Sequence, residues 1–339
     1  MTLQTKADTQ NNLTSLRPTP TSPLRIGTRG SPLALAQAKE LRGRLMIAHN
    51  LSEDCFAIEV ISTAGDRIQD RALSELGGKG LFTQEIEDRL LSGDLDLAVH
   101  SSKDMPTVLP DGLELSTFMP REDPSDAFIS LTASRLEDLP QGAVVGSASL
   151  RRQAMVRRLR PDLKLVNFRG NVETRLTKLA DGKVDATLLA TAGLNRLGLS
   201  KHITSTLQPD SFVPAVGQGA VCIEVRSTAA DVKAFLDIIH HRDTALCLLA
   251  ERAFLRELDG SCRTPIAGHA KLIDADMQFH GMVLSVDGQE AHEVFASLNS
   301  PDEPSAIAMG QQAGEDIRDV AGEAFLTEIL KTPATLETR

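Results

Sequence analysis

The chain has 339 residues, which is too long for one ordinary hydrophobic core, so two or three domains are expected. Its composition, 41% hydrophobic and 24% charged, is typical of globular proteins, and no apolar run approaches the length of a membrane span. The net charge of −10 argues against nucleic acid or an anionic membrane as a partner, and the absence of Trp and Tyr removes most base-stacking platforms.

Residues 1–22 are rich in Thr, Ser, Asn and Pro, and they lack the apolar core of a secretory signal. We therefore expect a disordered extension and not a targeting peptide. The four cysteines are widely spaced and form no CxxC pair, so neither a disulfide framework nor a metal site is expected. This cysteine usage favours a reducing, cytoplasmic location.

The first predicted strand, residues 24–27, leads into a helix N-terminus. Ser31 is suited to cap this helix and Pro32 to be its first residue. Arg29 and Ser31 then lie where free backbone amides and the helix dipole favour an anion. Most capped helices bind nothing, so this feature alone does not define a site.

A long polar loop, residues 62–80, follows the second predicted strand, residues 56–61. Its Gly-Gly-Lys-Gly run at 77–80 suggests a phosphate-binding loop, but the Ser or Thr after the Lys is missing and the glycine spacing is wrong. Loops of this length are usually functional or mobile. A hinge or lid before a helix over residues 82–92 is therefore the favoured interpretation.

The next predicted strand ends abruptly in polar residues. Leu95, Leu97 and Val99 belong to a short apolar run that is typical of a buried strand. The polar residues that follow are His100, Ser101, Ser102, Lys103 and Asp104. Open α/β sheets present ligand sites at the carboxyl ends of their strands, so a site is expected here. The alternative is a solvated junction between strand and loop.

The pattern then repeats after a charged crossing at residues 121–126. Residues 144–149 repeat the strand, glycine and hydroxyl order of residues 26–31, and residues 182–188 resemble residues 93–99. The two offsets differ, so the repeat is inexact. It predicts two similar α/β lobes that face each other across a cleft.

Arginines are concentrated in the second of these lobes. The chain has 25 Arg against 11 Lys, and residues 146–175 carry a net charge of +6 within an acidic protein. Because Arg presents a planar fork that matches carboxylates, this window indicates a small polyanionic ligand. A solvated basic helix face is the alternative. The residues of this window that lie at predicted helix starts or strand ends include Ser149, Arg151, Arg152, Arg169, Gly170 and Arg175.

The last third of the chain returns to the first lobe and then forms a small domain. A predicted strand at residues 220–225 follows a glycine loop, and an amphipathic helix begins near Asp243 and ends at Gly260. Cys262 lies in the tight loop that follows. The expected domains are residues 1–22 (extension), 23–120 with 215–240 (domain 1), 121–214 (domain 2) and 241–339 (domain 3).

Five motifs in one order resemble the porphobilinogen deaminase family, whose members are also called hydroxymethylbilane synthases. They are Gly-Gly-Lys-Gly-Leu-Phe at 77–82, His-Ser-Ser-Lys-Asp-Met-Pro at 100–106, Ser-Leu-Arg-Arg-Gln at 149–153, Arg-Gly-Asn-Val at 169–172 and Gly-Ser-Cys-Arg-Thr-Pro at 260–265. The resemblance covers residues 24–330. It implies an α/β fold of two doubly wound lobes like those of periplasmic binding proteins, with crossed connections and a small C-terminal α+β domain.

The resemblance also implies an activity and a cofactor. Members of the family are transferases that condense four porphobilinogen molecules head to tail with loss of ammonia, and then release the linear tetrapyrrole by hydrolysis. The chain grows on a dipyrromethane cofactor, which would be held by a thioether to Cys262. The family suggests a monomer that passes its product to uroporphyrinogen-III synthase.

Residue roles follow from the matched positions. Asp104 matches the catalytic carboxylate, and Lys79 and Phe82 match a mobile active-site loop, where Glu75 departs from the Lys of some relatives. The positions that match cofactor binding are Ser101, Lys103, Asp104, Ser149, Arg151, Arg152, Arg169 and Gly170, and those that match substrate binding are Arg29, Ser31, Arg169 and Arg175. Arg157, Arg158 and Arg160 lie further along their helix and are better explained as surface residues.

Two alternatives remain from the residues themselves. A non-catalytic carboxylate-binding protein could have the same two lobes, because fold alone does not determine function. A cysteine hydrolase would need a His near Cys262, but His240 and His241 lie at the far end of the preceding helix.

Overall fold

A computed structural model describes residues 16–67, 83–260 and 264–331. Lys79, Phe82 and Cys262 lie outside the described residues, as does Glu75. Of the expected extension, only the part from Leu16 onward is described; there Leu16 packs against the first core, and Thr19 pairs with Ser22.

The helices and strands alternate along most of the described chain. The strands are β1 (Leu24–Arg29), β2 (Phe56–Ile61), β3 (Leu97–Ser101), β4 (Leu113–Phe118), β5 (Asp126–Ser130), β6 (Val144–Gly146), β7 (Lys164–Val166), β8 (Ala186–Ala190), β9 (Ser205–Leu207), β10 (Val221–Arg226), β11 (Ile266–Ile273), β12 (Asp276–Leu284) and β13 (Ala291–Asn299). The α-helices are α1 (Pro32–His49), α2 (Ala64–Arg67), α3 (Gln84–Leu91), α4 (Leu150–Leu159), α5 (Val172–Ala180), α6 (Thr191–Arg196), α7 (Ala230–Leu236), α8 (Arg242–Glu257) and α9 (Glu303–Lys331).

The first two sheets have equivalent strand orders. The first sheet runs β2-β1-β3-β10-β4 and the second β7-β6-β8-β5-β9. In each, three neighbouring strands are parallel and the fourth strand in the order is antiparallel to both of its neighbours. The chain enters the second sheet after β4 and returns to the first at β10. The predicted crossed connections are therefore confirmed.

The predicted repeat is visible at matching positions of the two sheets. The Arg25 N–H, in β1, donates to the Asp96 carboxylate at 2.8 Å, and the Val144 N–H, in β6, donates to the Asp185 carboxylate at 2.7 Å. Each Asp lies just before the central strand of its sheet, so each carboxylate joins two parallel strands at the same level. The two lobes therefore share local detail as well as strand order.

Helices cover both faces of each of these sheets. In the first, α1 and α7 pack on one face and α3 on the other. In the second, α4 packs on one face and α5 and α6 on the other. A strand that is buried on both faces reads as a continuous apolar run, which explains the composition of β3.

The third sheet, β11-β12-β13, is antiparallel and packs against α8 and α9. The expected α/β class, with two doubly wound lobes and a small C-terminal α+β domain, is confirmed by these strand orders. The domain boundaries given above stay predictions. Within the described residues, no helix is long and apolar enough to cross a membrane.

Candidate active site

The polar cluster after β3 forms a short turn at the edge of a cleft. Residues Ser102–Asp104 make a single 3-10 turn, which we call the Asp104 turn. Ser102 N–H donates to the Ala220 carbonyl at 3.0 Å, and Met105 N–H closes the turn on the Ser102 carbonyl at 3.2 Å. The turn is thus fixed to the segment that leads into β10.

Side chains from β1 and α1 meet the Asp104 turn. Because β1 and β3 are adjacent and parallel, their carboxyl ends bring Arg29 beside Asp104, with 4.0 Å between Arg29 Nη1 and Asp104 Oδ2. Ser31 caps α1 by accepting from the Ala34 N–H at 3.2 Å. These residues line one pocket together with Ser101.

Gln37 belongs to this pocket and was missed from the sequence. Its Nε2 donates to Ser101 Oγ at 2.9 Å, and the Gln37 side chain is almost fully buried. An amide in the middle of a helix carries no local signal for such a role. Only the packing of α1 against β3 turns it toward Ser101.

Lys103 lies between the two lobes. Burial, followed by the positive charge of Arg152, lowers the pKa of Lys103 to about 8, while Asp104 and Asp126 act in the opposite direction. Within the described residues the Lys103 ammonium forms no ion pair. It is therefore available to a ligand carboxylate.

The adjacent arginines of α4 are held by one buried carboxylate, that of Asp126. Arg151 Nη2 donates to Asp126 Oδ2 at 2.7 Å, and Arg152 donates to Asp126 Oδ1 from Nε at 2.8 Å and from Nη2 at 2.6 Å. The two arginines hold the pKa of Asp126 down to about 2 against the effect of burial. Asp126 was missed from the sequence because it stands in a charged segment that looks like a simple crossing.

Further hydrogen bonds hold Asp126, Arg151 and Arg152 in place. Gln218, on the return to β10, donates from Nε2 to Asp126 Oδ1 at 3.0 Å. Arg151 Nη1 donates to the Val213 carbonyl at 2.7 Å, and Arg152 Nη1 to the Leu188 carbonyl at 3.1 Å. Arg151 Nε is buried without a hydrogen-bond partner among the described residues. Most of the hydrogen-bonding capacity of both arginines is therefore directed at the protein itself.

Two further arginines lie near the start of α5. Gly170 has a φ of 125°, which is readily accessible only to glycine, and its carbonyl accepts from Arg175 Nε at 2.9 Å. Burial lowers the pKa of Arg175 to about 10, and the charges of Arg152 and Arg169 act in the same direction. The positive charges of Arg152 and Arg169 therefore make the protonated state of Arg175 less favourable.

The site therefore carries more positive than negative charge. The cations that meet there are Lys103, Arg151, Arg152, Arg169 and Arg175, and Asp126 is the fully buried carboxylate among them. Buried charge is costly unless it is paired, so this arrangement favours a ligand with several carboxylates. The donor set fits a dipyrrole with acidic side chains.

The cysteines that the structure describes are unsuited to act as nucleophiles. Cys55, Cys222 and Cys247 are buried, and burial raises the thiol pKa of Cys222 and of Cys247 to about 12. His241 caps the start of α8. This helix has 16 residues and is about 24 Å long, and its other end leads to Cys262. That separation argues against a Cys–His dyad. Among the described residues, no group of three or more His, Cys, Asp and Glu could hold a metal ion.

Two family models match the chain. The model described as "Porphobilinogen deaminase, dipyromethane cofactor binding domain" matches residues 24–234, and "Porphobilinogen deaminase, C-terminal domain" matches residues 245–319. A curated relative, the porphobilinogen deaminase of Nitrobacter hamburgensis, is 55% identical over 302 residues, which are 89% of this chain and 95% of the relative.

Solved structures of binding proteins are also similar, at low identity. A periplasmic substrate-binding protein of an ABC transporter from Coxiella burnetii has 15% identity and a TM-score of 0.39. The match covers 66% of this chain and 94% of the Coxiella protein. The methionine-binding protein MetQ has 16% identity and a TM-score of 0.39, and the match covers 65% of this chain and 91% of MetQ. At these scores the likeness carries no functional inference.

Replacing Asp126 by Asn should destabilise the protein strongly, because two buried guanidinium groups lose their counter-charge. We expect the free energy of unfolding to fall by about 3–5 kcal/mol, measured by chemical denaturation. Asp162→Asn is the control: Asp162 pairs with Arg160 nearer the surface, so its loss should cost much less. Equal losses in the two variants would contradict the proposed electrostatic role of Asp126.

Proposed function

The chain belongs to the porphobilinogen deaminase family, and from this premise we propose how its two lobes divide the work of that family's reaction. The protein is a transferase of tetrapyrrole biosynthesis that condenses porphobilinogen into hydroxymethylbilane. Its dipyrromethane cofactor, when bound, supplies the pyrrole carbon at which the chain grows. We propose that Cys262 holds this cofactor through a thioether.

We propose that the second lobe holds the acetate and propionate groups of the pyrrole rings. The observation that supports this is the surplus of positive charge around Asp126, where Arg151 and Arg152 are buried and Arg169 and Arg175 are partly exposed. Arg169 and Arg175, with Ser149 at the start of α4 and Gly170 beside them, are the proposed direct contacts. Charge-assisted hydrogen bonds to fixed guanidinium groups would set the orientation of each ring.

Arg151 and Arg152 have a narrower role in this proposal than in the sequence-based expectation. Their forks are directed at Asp126 and at backbone carbonyls, so they act mainly by their charge and by fixing the N-terminus of α4. Arg151 Nε is the donor that remains for a ligand. Lys103 adds a cation from the first lobe, opposite this cluster.

We propose that Asp104 carries the chemistry. Loss of ammonia from porphobilinogen leaves a cation that is shared between the methylene carbon and the ring nitrogen. A carboxylate about 4 Å away, at an effective dielectric constant near 20, would stabilise this cation by roughly 4 kcal/mol, or about three decades in rate. Asp104 would also pass a proton to the departing amine and accept the proton lost from the attacked ring carbon.

Arg29 and Ser31, which line the same pocket as Asp104, are proposed to receive the incoming substrate, and Ser101 of that pocket to contact the cofactor. Arg29 and Ser31 lie at the N-terminus of α1, where the helix dipole favours a carboxylate. Thr83, the first described residue after the proposed active-site loop, lines the same pocket. This placement supports a role at the site for Lys79 and Phe82, which lie outside the described residues.

We also propose that the protein is a cytoplasmic monomer and that uroporphyrinogen-III synthase receives its product. The cytoplasmic location is supported by the buried, unpaired thiols of Cys55, Cys222 and Cys247, which suit a reducing compartment. The monomeric state and the transfer of product rest on the family alone.

Asp104→Asn keeps the size of the side chain but removes its negative charge. Turnover should fall at least about a hundredfold, because the cationic transition state loses its carboxylate. The measurement is the rate of tetrapyrrole formation from porphobilinogen. Asp111→Asn, a change at an exposed acid of the same lobe, should leave the rate unchanged. Near-normal turnover of Asp104→Asn would disprove the assignment.

The proposed attachment at Cys262 has a direct signature in intact mass. The purified protein should exceed its chain mass by one bound dipyrrole, and Cys262→Ser should lose this increment. Cys247→Ser is the matched control and should keep it, since the Cys247 thiol is buried and its pKa is raised to about 12. An unmodified mass for the unaltered protein would count against the proposal.

Lys103 should make catalysis sensitive to alkaline pH. Its pKa of about 8 means that its positive charge is lost as the pH rises through that value, so attraction for carboxylates weakens. We expect kcat/KM to fall above pH 8, and Lys103→Arg to move this decline to higher pH, because Arg stays charged. Ionisation of the substrate affects both proteins alike. Identical declines would show that Lys103 does not bind the substrate in its charged form.

A further inference from the structure

The backbone that carries Asp104 is held on both sides by side chains from other parts of the fold. Before the Asp104 turn, His100 Nε2 lies 3.1 Å from Glu224 Oε2, and both side chains are buried. After the turn, the Pro106 carbonyl accepts a 2.7 Å hydrogen bond from Arg252 Nη2. Glu224 belongs to β10 and Arg252 to α8, so two separate elements fix the same short segment.

The two anchors also act on each other. Burial lowers the pKa of Arg252, and the neighbouring Cys222 and, to a smaller extent, Glu224 act in the opposite direction. On the other side, burial and then the charge of Glu224 raise the pKa of Glu87, a residue of α3. Glu224 contacts His100, and its Oε1 is buried without a hydrogen-bond partner among the described residues.

Glu251, which precedes Arg252 on α8, makes a second contact that supports the Asp104 turn. Glu251 is fully buried and accepts from the Gly217 N–H at 2.7 Å. A Cβ on Gly217 would lie 2.9 Å from the Lys103 backbone nitrogen, so this loop packs directly on the Asp104 turn. Successive residues of one helix, Glu251 and Arg252, thus support the turn at two places.

We propose that Arg252 and Glu224 are positioning residues for Asp104: Glu224 holds His100 before the turn, and Arg252 holds the Pro106 carbonyl after it. The inference rests on the proposed catalytic role of Asp104. It also gives α8 a function: the helix that precedes the Cys262 loop is the one that fixes the catalytic turn.

The test compares Arg252→Gln with a matched arginine. Arg157 also donates one short hydrogen bond to a carbonyl, that of Val286 at 2.6 Å, and burial likewise lowers its pKa, but it does not touch the Asp104 turn. Arg252→Gln should lower kcat at least about tenfold with KM changed less than about twofold, because misplacement impairs the chemistry more than binding. Arg157→Gln should leave kcat unchanged, and Arg252→Lys should recover most of the lost kcat.

A double variant tests whether the two residues act on one turn. Glu224→Gln alone should also lower kcat, and Arg252→Gln with Glu224→Gln should lower it by less than the product of the two single effects. This comparison remains informative if one variant is less stable, since bound cofactor is verified by intact mass. The inference would be overturned if the double variant lowered kcat by the full product of the two single effects. It would also be overturned if Arg252→Gln had the same kcat as Arg157→Gln. If Asp104→Asn is inactive while Arg252→Gln is normal, the inference fails and the proposed function stands.

Discussion

The buried carboxylate of Asp126 is the contact on which the arrangement of the site depends. It lies in β5, beside β8, and fixes two guanidinium groups at the N-terminus of α4. Without it, Arg151 and Arg152 would repel each other in a buried position. With it, the pair retains one net positive charge, to which Arg169 and Arg175 add. One acid thus makes a cationic surface compatible with a packed core.

The third sheet and its helices connect the two lobes. Ala267 and Met282, from β11 and β12, belong to the core of the second lobe, whereas Ala245 and Leu248, from α8, pack against Met105 beside the Asp104 turn. The third sheet and its helices therefore touch both the second lobe and the Asp104 turn. This arrangement suits a reaction in which a growing polyanion stays attached at one point while its free end meets one carboxylate.

The sequence could predict those parts of the site that depend on local patterns. Apolar runs that stop at polar residues placed the ends of β1 and β3 two residues too early, and parallel pairing then brings Arg29 near Asp104. Asp126 and Gln37 could not be found in this way, because their burial depends on packing between elements far apart in the chain. Arg252 gave no signal for the same reason: on α8 it is one polar residue of an amphipathic helix. The geometry at Cys262 lies outside the described residues, so its assignment rests on the family motif.

The central claim, that the tetrapyrrole grows stepwise on Cys262 while Asp104 performs each condensation, is tested most directly by intact-mass spectrometry during turnover. Limiting porphobilinogen is added to the cofactor-loaded protein, and the mass distribution is followed with time. The account predicts discrete increments of one pyrrole unit that appear in succession, and that form at least about a hundredfold more slowly in Asp104→Asn. Product formation without any increment on the protein, or increments at equal rates in both proteins, would contradict it.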